Sequence, residues 1–201
     1  MGLENSIRPM QHLDVLAVVD IHIQAFQGFF LSFLGPRFLQ ELYSAIIADP
    51  SGIAFTFHED DNLLGFVVGT DQPSGFYRRL LRRRWWRFAL ASFMPLLKNP
   101  TIIPRLFRAF SMPQQGDAGK ECGTLMSIAV LPEAQGNGVG KELVGAFLQE
   151  ASRRKLKQVN LTTDKLNNDA VNLFYQRLGF KCIRSLVTPE GREMNEYLMS
   201  L

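Results

Sequence analysis

Ser127-Ile-Ala-Val-Leu-Pro-Glu-Ala-Gln-Gly-Asn-Gly-Val-Gly-Lys141 runs from an apolar strand through a proline turn and a glycine-rich loop into a helix. The pattern predicts a strand over Thr124 to Val130. It predicts a helix over Gly138 to Arg154, with Val139, Leu143, Val144, Phe147, Leu148 and Ala151 on one face. The first amides of a helix have no acceptor inside it, and the helix dipole adds partial positive charge there. Such a terminus suits a phosphate. Gly136, Gly138 and Gly140 remove side chains that would keep an anion off the backbone, and Lys141 can add a cation. Two common phosphate loops do not fit. A Walker loop fails because Glu142 follows Gly140-Lys141 and Gln135 stands where its first glycine belongs. A dinucleotide fingerprint needs G-x-G-x-x-G in a first βαβ unit, whereas the glycines here run G-x-G-x-G and lie beyond residue 130.

A second informative stretch is Asn168-Asp-Ala-Val-Asn-Leu-Phe-Tyr-Gln-Arg-Leu-Gly-Phe180. It reads as a helix from Asn168 to Leu178, closed by Gly179, a residue that enters the left-handed region freely. Asn168 and Tyr175 are seven apart and so share a helix face. Between the two stretches Gln158 to Thr163 reads as a strand, and Phe180 to Val187 and Glu193 to Met199 as two more. Upstream, Ser6 to Met10 reads as a strand. Leu13 to Phe26 reads as a helix with Leu13, Leu16, Ala17, Val19, Ile23 and Phe26 inward, and a second helix runs from Gly35-Pro36 to Ala48. Ile53 to His58 and Leu63 to Thr70 form a hairpin around Asp60-Asp61-Asn62. The expectation is one α/β domain over residues 1–201, interrupted by an insertion at 71–121.

The two stretches, in this order and on these elements, resemble the GNAT (Gcn5-related N-acetyltransferase) superfamily. The first matches its pyrophosphate loop, Gln/Arg-x-x-Gly-x-Gly/Ala, as Gln135-Gly136-Asn137-Gly138-Val139-Gly140. The second is similar to its Asn…Tyr…Gly-Phe helix. The resemblance implies a mixed, mostly antiparallel sheet splayed between the fourth and fifth strands, flanked by helices. Acetyl-CoA would be the co-substrate. Its pantetheine would pair with Ile128, Ala129 and Val130, and its pyrophosphate would lie on the amides of Gln135, Gly136, Asn137, Gly138, Val139, Gly140 and Lys141. Asn168 would bind the pantetheine or a water, an amide near Val130 would face the thioester carbonyl, and Tyr175 would serve the leaving thiolate. An acceptor amine would attack the thioester directly. Glu121, Asp164 and Ser127 border the splay and are candidates for taking the amine proton. Glu121 and Asp164 read more readily as solvated or turn residues than as the base. The stretch from Ala25 to Leu39 also resembles a subgroup of bacterial GNAT proteins that look like surface-polysaccharide enzymes, and that resemblance implies a primary amine of a small molecule as acceptor, an amino sugar foremost. Alternatives are a protein N-terminus or lysine, or a non-catalytic acetyl-CoA-binding module.

Composition narrows the setting. Hydrophobic residues make up 46% and charged residues 20% of the chain, and no apolar run is long enough to span a membrane. No secretory signal is expected, and two cysteines, Cys122 and Cys182, with three scattered histidines suggest neither disulfide framework nor metal site. A reducing cytoplasm is the expected compartment. From Gln72 to Gln115 there is no acidic residue but nine Arg and Lys, so the rest of the chain holds 22 − 9 = 13 basic residues against 19 acidic. Within this insertion helices are expected near Phe76–Ala91 and Pro104–Phe110, broken by Pro95, Pro100 and Pro104. The first would present an apolar stripe of Phe76, Leu80, Leu81, Trp85, Phe88 and Ala89. Its Arg and Trp residues suit a peripheral membrane contact through 76–91, a phosphorylated acceptor, or a solvated flap; a basic stripe alone says little for nucleic acid, which is not expected as a partner. Homodimerisation is a further expectation, drawn from the family.

Overall fold

The computed structural model describes residues 5–26, 30–98, 121–189 and 191–201. Strand β1 (Asn5–Pro9) leads through a 3-10 turn (His12–Asp14) into α1 (Val15–Ala25), a short α2 (Phe30–Phe33) and α3 (Gly35–Ala48). The hairpin β2 (Gly52–Glu59) and β3 (Asn62–Thr70) follows, then α4 (Phe76–Lys98). Next come β4 (Cys122–Val130), a 3-10 turn (Pro132–Ala134), α5 (Val139–Arg153), β5 (Gln158–Asp164), α6 (Asp169–Arg177), β6 (Lys181–Val187) and β7 (Glu193–Ser200). One seven-stranded sheet takes the order β1-β2-β3-β4-β5-β7-β6, and only β4 and β5 run parallel.

Two apolar layers sandwich the sheet. On one face Val18, Val19, Phe38, Leu42 and Tyr43 from α1 and α3, with Phe76, Leu80 and Phe88 from α4, cover Phe66, Val68 and Ala129. On the other face Leu143, Val144, Phe147 and Tyr175 from α5 and α6 cover Ile53, Phe57, Val67, Leu125, Leu161 and Tyr197. Alternating strand residues feed opposite layers, which is why Phe66 and Val68 face one way and Val67 the other.

The expected splay is present. β4 and β5 pair only at Cys122–Gln158, Gly123–Val159 and Thr124–Asn160, with the Thr124 hydroxyl donating to Asn160 Oδ1 at 2.6 Å. Beyond Thr124, β4 keeps β3 as its partner on one edge, and β5 keeps β7. The two strands therefore diverge in a wedge that opens toward Val130.

Three expectations are corrected. Helix α1 starts at Val15 rather than Leu13, and Leu13 and Leu16 are 72% and 63% exposed while Val15, Val18, Val19, Ile21 and His22 face inward. The cause is Asp14, which accepts the Gln11 N–H at 2.8 Å and both guanidinium nitrogens of Arg8 at 2.7 Å. That anchor sets the phase of the helix. Second, α4 runs through Pro95 to Lys98, and its interruption lies at Arg84 instead, with φ −134° and ψ 27°. The kink rotates the later half, so Trp85 and Ala89 leave the expected inward stripe and face solvent while Phe76, Leu80 and Phe88 stay buried. The helix expected over Pro104–Phe110 lies outside the described residues. The third correction concerns Glu121 and is given below.

Candidate active site

The wedge ends at a loop shaped for close approach of an anion. Gln135 is extended, and its side-chain amide donates to the Val130 carbonyl at 3.2 Å, tying the loop to the end of β4. Gly136 and Gly138 have φ of 84° and 88°, and a Cβ on either would meet nothing within 4 Å. Their requirement for glycine is thus conformational, and the space above them is open. Gly138 is the N-cap of α5, and the amides of Val139, Gly140 and Lys141 start the helix without intrahelical acceptors. Asn137 and Lys141 are exposed on the same rim. Gly140 differs from its neighbours: its φ is not left-handed, and a Cβ there would meet the Phe174 ring of α6 at 3.4 Å, an ordinary contact.

β4 supplies the wall of the wedge. Its pairing with β3 slips between Val68 and Gly69, leaving Met126 as a bulge. The slip sends Met126 and Ala129 to the α1–α3 layer and Leu125, Ile128 and Val130 to the α5–α6 layer. Ser127 meets Tyr43 of α3: its hydroxyl partly offsets the rise that burial imposes on the Tyr43 phenol. Tyr43 in turn shares a 2.6 Å hydrogen bond with His22 Nδ1, while His22 Nε2 is buried without a partner. Desolvation lowers His22 to about 4, so this pair is neutral at physiological pH. Sequence reading named Ser127 but missed His22 and Tyr43, which look like ordinary helix residues until the fold brings them beneath β4.

The opposite wall carries α6. Asn168 caps the helix, and its amide donates to Thr163 Oγ1 at 2.8 Å and the Asp164 carbonyl at 3.0 Å. Asn172, not anticipated from sequence, donates to the same Asp164 carbonyl at 2.9 Å and accepts from Tyr197 Oη at 2.9 Å and Asn195 Nδ2 at 3.0 Å. The two asparagines thus hold the end of β5 open against α6. Tyr175 is buried at 4% exposure amid Phe174, Phe180 and Tyr197, and desolvation pushes its phenol up to about 12.

The base candidates fare differently. Glu121 precedes the paired end of β4, where the wedge is closed, and its carboxylate pairs with Lys157 at 2.6 Å. At 3.3 Å per residue it stands about 30 Å of strand away from Val130, so it does not belong to the wedge mouth. Asp164 does lie at the open end of β5, but Arg192 grips its carboxylate at 2.7 Å to each oxygen. Among the described residues no cluster of His, Cys, Asp or Glu could hold a metal ion.

A strand edge unpaired among the described residues thus leads into a left-handed glycine loop at a helix N-terminus, the arrangement expected of a site for an extended, phosphate-bearing acyl carrier. The chain belongs to the acetyltransferase (GNAT) family, whose model matches residues 16–180. It is accordingly an acyltransferase with acetyl-CoA as co-substrate. No curated protein sequence matches the chain. Among solved structures it is similar to Ard1 from Thermoplasma volcanium (15% identity, TM-score 0.64, covering 98% of this chain and 97% of that one). It is also similar to the ribosomal-protein-S18-alanine N-acetyltransferase from Escherichia coli (16%, 0.61, 98% and 94%). A third likeness is the spermidine/spermine N-acetyltransferase SpeG from Vibrio cholerae (16%, 0.59, 98% and 92%). At these identities the likeness is one of fold.

Proposed function

We propose that the protein transfers an acetyl group to a primary amine of a small molecule, an amino sugar foremost. The observation that carries the transfer chemistry is the open wedge between β4 and β5, ending on the Gly136–Gly138 loop. Acetyl-CoA, when bound, supplies an activated thioester and a thiolate leaving group. The free edge of Ile128 to Val130 would bind its pantetheine as an added strand, and an amide near Val130 would donate to the thioester oxygen. The amides from Gln135 to Lys141 would hold its phosphates.

Tyr175 would act on the sulfur. At about 12 its phenol stays protonated at neutral pH. Complete proton transfer to an alkyl thiolate near 8.5 would be uphill by about 5 kcal/mol, so donation of a hydrogen bond is the favoured role. The proton shed by the amine can then serve the thiol. Ser127, backed by Tyr43, stands on the other face of β4 and could orient the amine.

A protein N-terminus is the second reading, supported by the fold likeness to Ard1 and to the S18-alanine enzyme and by the basic insertion, which would suit an acidic peptide. The deciding assay is thiol release from acetyl-CoA with nucleotide amino sugars beside free-amine peptides and spermidine. Turnover on sugars supports the first reading. Turnover on peptides alone replaces it with the second, and acetyl-CoA binding without turnover on any acceptor refutes both.

A further inference from the structure

Helix α4 presents an outward face that the acetyltransfer chemistry does not use. Trp85, Trp86 and Leu90 are 67%, 52% and 70% exposed, and Ala89 is exposed between them. At 100° per residue the four fall within an arc of about 140°. The opposite side is fixed to the body by Phe76, Leu80 and Phe88, by Arg83 to Asp49 at 3.1 Å, and by Arg79 to the Ser74 and Gln72 carbonyls. The outward orientation is therefore built in. On the same outward side stand Arg78 and Arg82, both exposed and without an ion pair among the described residues, and Arg87, whose guanidinium lies over the Trp86 ring at 5.4 Å. No acidic residue interrupts the sequence from Gln72 to Gln115.

We infer that this face of α4 docks on an anionic lipid surface, with Trp85, Trp86 and Leu90 at the level of the acyl–headgroup boundary and the free arginines on lipid phosphates. Trp with Arg around an aliphatic residue matches the interfacial zone, where amphipathic rings sit and long cationic side chains reach the headgroups. A second copy of the chain is the wrong partner, since a two-fold contact through α4 would oppose one cationic segment with another. Nucleic acid would engage the arginines and indoles but leave Leu90 in water. No described helix is long and apolar enough to cross a membrane, so contact through this face is peripheral.

Trp85 and Trp86 are the only tryptophans in the chain, so its indole fluorescence reads this face alone. The intact protein is titrated, without acetyl-CoA or acceptor, with phosphatidylcholine vesicles and with phosphatidylcholine–phosphatidylglycerol vesicles. The expected result is a blue shift and co-sedimentation with the anionic vesicles only, weakened by high salt. Each juxtamembrane arginine is worth about 1 kcal/mol, so R78S/R82S lowers partitioning about thirtyfold. Because neither side chain has a described partner, its melting temperature is unchanged. L90S, also on the surface, weakens binding without changing the salt dependence. Absence of a shift with anionic vesicles overturns the inference. So does equal binding to neutral vesicles, unaltered partitioning of R78S/R82S, or a shift produced by single-stranded RNA or an acidic peptide but not by lipid. None of these outcomes bears on acetyl transfer.

Discussion

Gly138→Ala tests the loop geometry directly, because the site offers a cost from conformation and none from sterics. Its φ of 88° and ψ of −10° lie in left-handed territory, while a Cβ would touch nothing within 4 Å. The expected destabilisation is the left-handed penalty of an L-residue, about 1–2 kcal/mol. In a chain of this length that lowers the melting temperature by about 2–8 °C. Three glycines on the same loop and helix provide contrast. Gly136, also left-handed and open, should behave like Gly138. Gly140 has no left-handed φ and would gain an ordinary contact with Phe174 at 3.4 Å, so Gly140→Ala should be close to neutral. Gly145 sits inside α5, exposed, with nothing within 4 Å, so Gly145→Ala should stabilise by about 0.5–1 kcal/mol through helix propensity. Thermal unfolding of the four variants gives the ordering, and Gly138→Asn should recover part of the loss because Asn tolerates the left-handed region. Acetyl-CoA KM should rise for the Gly136 and Gly138 variants and stay level for Gly145. A Gly138→Ala protein as stable as Gly145→Ala, with unchanged KM, would refute the left-handed cradle.

Other expectations are read in single assays. Tyr175→Phe should lower kcat about tenfold to hundredfold, the worth of a hydrogen bond to a charged atom, and leave acetyl-CoA KM nearly unchanged; an unaltered kcat removes Tyr175 from the reaction. Glu121→Gln should change neither kcat nor its pH profile, and should cost under about 1 kcal/mol of stability for its exposed pair with Lys157; a tenfold fall in kcat would restore it to the site. His22 has a folded value of about 4, below its unfolded value of 6.5. The unfolded chain therefore binds more protons between these limits, and stability contributed by neutral His22 is full above pH 6.5 and lost as pH falls toward 4. The loss amounts to about 3 kcal/mol over that window, read from denaturant midpoints, and it should be absent in His22→Gln; a parallel decline in that variant would assign the acid limb to other groups.

The sheet was legible because its strands alternate or run apolar between strong turn signals, and because the loop and the α6 stretch each combine residue types with a required local geometry. Strand edges moved by no more than two residues. What was not legible depended on contacts distant in sequence. The phase of α1 is set by Arg8 and Gln11 acting on Asp14, so the helical spacing of Leu13 and Leu16 pointed the wrong way. The stripe expected along α4 assumed a straight helix, and the turn at Arg84 splits it. Nothing in the run of arginines marks which one leaves helical geometry.

The general base shows the same limit from another side. A carboxylate near a strand end is a sound candidate on sequence grounds, yet a strand has two ends and the wedge opens at only one. Glu121 is at the closed end. Asp164 is at the open end but is neutralised by Arg192 and holds Asn168 and Asn172 through its carbonyl, so its described role is to shape the wall. Among the described residues the polar groups gathered beside the bulge of β4 are Ser127, Tyr43, His22 and Tyr77, none of them acidic. With no carboxylate at that position among the described residues, attack by an amine that arrives neutral or loses its proton to water is favoured, which ties acceptor choice to amine basicity. An amino sugar, whose ammonium is more acidic than that of a lysine or a polyamine, meets that condition nearer neutral pH. The rate with an amino sugar should therefore level off at lower pH than the rate with spermidine or a lysine peptide, and coincident profiles would place an enzymic base in the wedge after all.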